Sequence, residues 1–374
     1  MKNFIPVNVP LLSGNEKKYI NECIDTGWIS SEGPFVKKFE DAVAKKVNRN
    51  YAVAVSNGTA AIDIAIAALK IGPGDEVILP AHTIISCIIQ IVKSGAKPVL
   101  VDSKLDTWNM DVSKIEEKIT DKTKAIMAVH IYGLPVEMDK ILDLAKEYNL
   151  FVIEDAAEML GQTYNDIPCG SFGDISTMSF YPNKQITTGE GGMCLTNNKE
   201  LYERCKSLRN LCFIPEKRFI HYELGWNYRM TNLQAAIGLA QIENLSKHIN
   251  LKRNIGKLYL KLLQDVNVIQ LPIESTNYSE NIFWVFGILL KDEIKIDALQ
   301  IMDKLKKLGI GSRPFFYSLN KQPVLTKLGL FKGESYPISE MLSKKGFYIP
   351  SGLGITEDQI IKCSEILKKS LVNI

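Results

Sequence analysis

A lysine, an aspartate and a Gly-Thr turn, each at the end of an apolar run, are the residues of this chain placed to do chemistry together. Lys184 lies in SFYPNKQITTGEGG, just past the run ISTMSF (175–180). It is either a solvated surface amine or a desolvated one able to form a Schiff base. Asp155 closes the run LFVIED (150–155). A carboxylate at the end of a buried strand needs a partner, either a structural arginine or the cation of a cofactor. After YAVAV (51–55) come Ser56, Asn57, Gly58 and Thr59. That stretch reads as a turn with a helix N-cap, or as a cup in which Gly58, Thr59 and the first-turn N–H groups hold a phosphate. Singly, each site is ambiguous. Together they make a phosphate cup, a carboxylate for a pyridinium nitrogen and an amine, which is the set pyridoxal phosphate chemistry requires. The aspartate keeps the ring nitrogen protonated, and the lysine carries the proton that leaves the substrate carbon.

These residues must be held by a regular scaffold. From Asn50 onward, β-branched runs alternate with helix-like segments: YAVAV, EVILP (76–80), PVLVD (98–102), KAIMAVH (124–130), LFVIED, ISTMSF and GGMCLT (191–196). Between the first five lie TAAIDIAIAALK, IISCIIQIVKSG, MDVSKIEEKI and MDKILDLAKEYN. The pattern predicts a mostly parallel, seven-stranded sheet covered on both faces, whose ligands gather beyond the strands' carboxyl ends. The last two runs lack a helix between them, so one edge is expected to be antiparallel or irregularly connected. Residues 230–265 read as one long helix or two consecutive ones. Beyond them come a strand over 281–290, a helix over 296–309, a loop SRPFFYSLNKQP and a closing helix from Glu357. The expected division is a large α/β domain over 1–245 and a smaller α+β domain over 246–374.

The bulk properties exclude several classes. With 45 Lys+Arg against 42 Asp+Glu and no basic run interleaved with aromatics, nucleic acid is not an expected partner. Seven cysteines, scattered and never in a C-x-x-C pair, argue for reduced, buried thiols in a cytoplasmic protein. The start MKNFIPVNVPLLSG lacks a basic stretch followed by an apolar run, and no window is long and apolar enough to span a membrane. The four histidines have no metal-ligand spacing, so no metal is expected. Gly72-Pro73-Gly74 precedes a strand and is a turn, not a dinucleotide fingerprint.

The combination SNGTAAIDIA, VIEDAAEMLG, SFYPNKQITTGEGGM and GWNYRMTNLQAAIGLAQIE resembles the DegT/DnrJ/EryC1/StrS family of sugar aminotransferases. The match runs from about Pro6 to the C-terminus, and Lys184 with Glu190-Gly191-Gly192 is its most specific part. The resemblance implies the aspartate-aminotransferase-like fold (fold type I) and a homodimer with active sites shared between subunits. It also implies pyridoxal phosphate as cofactor, alternating with pyridoxamine phosphate. Lys184 would hold the cofactor and Asp155 its ring nitrogen. Glu158 would lie near the ring hydroxyl, and Gly58, Thr59 and Ser179 would bind the phosphate. Asn227 would reach that phosphate from the neighbouring subunit. Ile84 stands where an aromatic residue often stacks on the ring. Glu158 with ITTGEGGM, NYRMTN and SRPFFY is most similar to members that aminate GDP-4-keto-6-deoxymannose with L-glutamate as donor, for surface polysaccharide. UDP- or dTDP-linked 4-keto sugars are the alternative substrates, and a non-catalytic regulatory member is a more distant one. For substrate contacts, Trp108 either lines the hexose or nucleotide site or packs over the sheet edge. Arg313, beside Tyr317, would contact the glutamate carboxylate or the diphosphate. Arg229 has a similar claim or braces the interface, and His221 and Tyr222 are weaker candidates.

Overall fold

In the computed structural model, which describes residues 4–217 and 219–372, the alternating runs form the expected strands. Seven make one sheet: β1 (Tyr51–Val55), β2 (Glu76–Pro80), β3 (Lys97–Val101), β4 (Thr123–Val129), β5 (Phe151–Asp155), β6 (Ile175–Ser179) and β7 (Gly192–Thr196). Their order is β1-β7-β6-β5-β4-β2-β3. Pairs from β3 to β6 are parallel, whereas β7 runs antiparallel to both neighbours. The antiparallel strand is therefore internal, not at an edge as the sequence suggested. The β6–β7 connection over residues 180–191 contains no helix to cross over the sheet, so the chain must turn back. That returning loop carries Lys184.

Helices α1 (Glu16–Thr26), α2 (Pro34–Lys46), α3 (Gly58–Ala68), α4 (Ile85–Lys93), α5 (Met138–Glu147) and α6 (Lys199–Arg209) cover the two faces. Strand alternation splits the core between them. Val77 and Leu79 pack on the face of α3 and α4, and Ile78 packs on the other face with Phe39 and Val43 of α2. The segment MDVSKIEEKI forms two short 3-10 turns, Val112–Lys114 and Glu116–Lys118, instead of the expected helix. The Asp111 carboxylate accepts hydrogen bonds from the Ser113 N–H and hydroxyl, a local alternative to helical pairing.

Residues 230–265 resolve into two helices, α7 (Asn232–Glu243) and α8 (Leu245–Leu263), broken at Asn244. The sequence Thr-Asn-Leu-Gln starts α7 with a capping box between Thr231 and Gln234. Beyond α8, strands β8 (Ile269–Gln270), β9 (Phe286–Leu290), β10 (Arg313–Pro314) and β11 (Gly346–Ile349) form an antiparallel sheet in the order β8-β9-β11-β10. The expected strand over 281–290 is shortened to β9 because Phe283 adopts φ +49°, which ends extended pairing. The N-terminal segment, counted with the larger domain on sequence, pairs with the smaller one. Ile5 bridges to Ile310, and the carbonyls of Val7 and Val9 accept from the N–H groups of Ser351 and Gly354. Among the described residues no helix is long and apolar enough to cross a membrane.

Candidate active site

The carboxyl ends of the parallel strands open into a cavity of about 340 Å³, and the first residues singled out by sequence converge on it. Gly58 and Thr59 begin α3 after β1, Asp155 ends β5, Ser179 ends β6, and Lys184 comes from the returning loop. The Asn57 side chain caps α3 by accepting from Ala60 N–H (2.8 Å), so this stretch is the N-cap that its composition allowed. The cap leaves earlier first-turn N–H groups without intrahelical acceptors. Thr59 Oγ1 lies 2.9 Å from Ser86 Oγ, in the first turn of α4, which adds a second hydroxyl beside the cup. Glycines let these backbones meet. A Cβ on Gly58 would stand 2.9 Å from Ser179 Cβ, and one on Gly192 would stand 2.3 Å from the Asn57 carbonyl oxygen. The Glu-Gly-Gly motif thus serves close approach of β7 to the turn between β1 and α3.

Asp155 is 3 % exposed, and among the described residues its oxygens accept only the Ala157 N–H (3.0 Å) and the Cys87 S–H (3.2 Å). Among the described residues it forms no ion pair. Burial pushes its carboxyl up from the ordinary range, against the pull of the Ala157 N–H and, more weakly, of Lys184. A buried carboxylate without a cation is a site that fits a pyridinium. Glu158 accepts from Tyr132 N–H (2.7 Å) and faces Lys184 Nζ at 3.9 Å. Desolvation raises the Glu158 carboxyl and lowers the Lys184 amine, and their mutual attraction opposes both shifts. The Lys184 side chain is only 11 % exposed, so its amine is desolvated, the second of the two readings its sequence context left open. Ile84, which caps α4, is 43 % exposed and also lines the cavity.

The remaining sequence candidates lie elsewhere in the chain. Trp108 is 3 % exposed, sits at φ +63° and packs edge-on against Phe315 with centroids 5.0 Å apart. It does not line the cavity, so the packed alternative describes it and the sugar-lining one does not. Asn227 is exposed and bridges to Asn210, away from the cavity of its own chain. Arg229 donates to Asn210 Oδ1 (2.7 Å) and lines a separate depression with Arg209. Arg313 borders a cleft that shares Tyr181, Asn183, Trp284 and Tyr348 with the main cavity, whereas Tyr317 is half-exposed outside both. His221 and Tyr222 are exposed.

Sequence reasoning missed Ser86, Cys87 and Trp284. The first two had a legible signal, since they fall in the first turn of the helix that follows β2, beyond the strand end where ligands collect. Trp284 had none, because it is brought in from the smaller sheet, just before β9.

The DegT/DnrJ/EryC1/StrS aminotransferase family model matches residues 10–368. The chain is 44 % identical to a GDP-perosamine synthase of Escherichia coli O157:H7, covering 98 % of each. It is 40 % identical to a GDP-perosamine synthase of Vibrio cholerae, covering 97 % of this chain and 98 % of that one. Among solved structures, an aminotransferase from Psychrobacter cryohalolentis superposes with a TM-score of 0.89 at 28 % identity, covering 99 % of both chains.

Proposed function

The chain belongs to the DegT/DnrJ/EryC1/StrS aminotransferase family, and from that premise we propose that it aminates the 4-keto carbon of a GDP-linked 6-deoxyhexose. The product is GDP-perosamine, the amino donor is L-glutamate and the destination is a surface polysaccharide. The enzyme is a pyridoxal-phosphate-dependent sugar aminotransferase. One observation carries the finer reading. Lys184, Asp155, Glu158 and the first turn of α3 share one cavity, in a chain 44 % and 40 % identical to GDP-perosamine synthases over nearly its whole length.

When bound, the cofactor supplies an electron-withdrawing ring beside the amine-bearing carbon of the substrate. Gly58, Thr59, Ser86 and Ser179 would hold its phosphate. Asp155 would pair with the ring nitrogen and keep a proton there, since a cation relieves the cost of its burial. Glu158 would serve the ring hydroxyl and Ile84 the ring itself. Lys184 would hold the cofactor and, when free, would move the proton at the amine-bearing carbon. Arg313 at the neighbouring cleft suits a carboxylate or a diphosphate. Support for a homodimer comes from the segment before Asn227, where Tyr222 and Leu224 are 71 % and 93 % exposed, more apolar surface than a solvated loop needs. In such a dimer Asn227 and Arg229 complete the partner's site. The compartment is the cytoplasm, where nucleotide sugars are made.

The test is a pair of half-reactions followed by visible spectroscopy. Glutamate should convert the bound cofactor to its amine form, and GDP-4-keto-6-deoxymannose alone among GDP, UDP and dTDP keto sugars should restore it. Restoration by a UDP or dTDP sugar would keep the mechanism and change the substrate.

A further inference from the structure

Trp284 lines the same cavity and meets the lysine loop at two points, the Lys184 amine and the Asn183 backbone. Its indole face lies under the amine, with Nζ 4.0 Å from the ring centroid. Its Nε1–H donates to the carbonyl of Asn183, the residue before the lysine, at 2.8 Å. The same loop is held by Asn8 Nδ2 on the Pro182 carbonyl (2.9 Å) and by His248 Nδ1 on the Gln185 carbonyl (3.0 Å). Those contacts fix the backbone, and Trp284 alone among them also meets the amine.

The indole is held there at a cost in backbone strain. Phe283, immediately before it, takes φ +49°, a conformation that bulky residues rarely adopt. Opposite, Gly133 sits at φ +113°, and a Cβ there would lie 2.7 Å from Phe283 N and 2.9 Å from Trp284 N. Two special conformations are thus spent to turn a strand-forming sequence out of its sheet and aim one side chain at the lysine. Strain of this kind is retained where surrounding structure over-determines it, and it clusters at functional sites.

We propose that the indole face of Trp284 is the seat that holds the Lys184 amine whenever it is not bonded to the cofactor. Trp284 is then a positioning residue for the proton carrier of the reaction. An aminotransferase frees its lysine when substrate takes its place, and the freed amine must stay within reach of the substrate carbon rather than swing into solvent. The π face attracts the ammonium form and the packed edge excludes water. Glu158 Oε1 lies 3.9 Å from the same amine. Asp155, Cys87, Tyr348, His130, Tyr181 and Glu190 are the other titratable groups among the described residues that face the amine or line its cavity.

The proposal rests on the aminotransferase reading, and its test separates the two. Cofactor-free protein is mixed with pyridoxal phosphate over a pH series, and the rate at which the visible band appears reports the neutral fraction of Lys184. Trp284→Leu keeps an apolar filler but removes the π face, so the midpoint should move to lower pH by about half to one unit. Trp284→Phe, which keeps a smaller face and a native-like fold, should fall between. With glutamate deuterated at its α-carbon, the Leu variant should lose turnover on the order of tenfold and show a larger isotope effect than the wild type. An unshifted midpoint, or one moved upward as water enters, would overturn the seat and leave Trp284 a packing residue. Failure of wild-type protein to capture the cofactor or respond to glutamate would instead strike the functional reading.

Discussion

Two carboxylates sit side by side at the end of β5, and they lead opposite lives. Glu154 points to one face of the sheet and Asp155 to the other, because successive strand residues alternate. Glu154 is fully buried and saturated. It accepts from Gly170 N–H (2.6 Å), Phe172 N–H (2.8 Å) and His130 Nε2 (3.0 Å). Arg49 locks the same loop by donating to the carbonyls of Gly170, Phe172 and Gly173. His130 Nδ1 accepts from Val136 N–H (3.1 Å), so the proton is on Nε2 and neither nitrogen has a lone pair left for a metal. Cys169 lies beside this pair, but the hub is structural. Asp155, one residue on, has two weak-to-ordinary donors, no cation and an open cavity in front of it. A saturated buried charge stabilises a fold. One left short of partners beside a cavity is reserved for a ligand.

The contrast breaks most sharply through the catalytic face. Lys184→Ala should abolish turnover and the visible band of the bound cofactor, both read in one spectrophotometric assay. Asp155→Asn should retain cofactor yet slow the glutamate half-reaction by about a thousandfold, with no loss of stability in urea. Full activity in either variant would end the assignment of roles. Glu154→Ala should do the reverse. It strands two buried N–H groups and His130, costing about 3–5 kcal/mol in denaturant unfolding, while activity per folded molecule is largely kept.

His82 sharpens the comparison, because it is under-partnered without being at the cavity. Among the described residues neither ring nitrogen has a hydrogen-bond partner inside a shell of Tyr132, Phe315 and Phe316, and burial pushes its pKa down to about 3. The folded chain therefore binds fewer protons than the unfolded one between pH 6.5 and 3. Stability should drop as the pH is lowered from 6.5 to 3, by up to about 1.4 kcal/mol per unit. His82→Phe should flatten the melting temperature against pH without altering the half-reactions. The smallest effect is expected at Cys87. Cys87→Ala removes one donor to Asp155 and should change cofactor affinity by about fivefold, on the order of 1 kcal/mol, whereas Cys87→Ser should restore it in equilibrium dialysis.

Much of this was legible before any coordinates. The apolar runs of the larger domain and the positions of Gly58, Asp155 and Lys184 past strand ends all follow from local chemistry and period. The MDVSKIEEKI helix failed because Asp111 and Ser113 satisfy each other locally, a competition that the apolar spacing does not reveal. Trp108 stayed open between two readings because a tryptophan in a loop has the same local appearance whether it lines a site or fills a core.

The sequence by itself determined the alternation of strands and helices, the buried ends at which function gathers and the residue types able to bind pyridoxal phosphate. These depend on periodicity and on side-chain chemistry within a few residues, which the chain carries locally. Only the tertiary structure decided that Glu154 is a structural hub while Asp155 faces the cavity. It alone set β7 inside the sheet, wrapped the N-terminal segment onto the smaller domain and laid Trp284 under Lys184, 100 residues away in sequence. Partners so distant are chosen by how sheets and loops pack in three dimensions, and no local pattern encodes that choice.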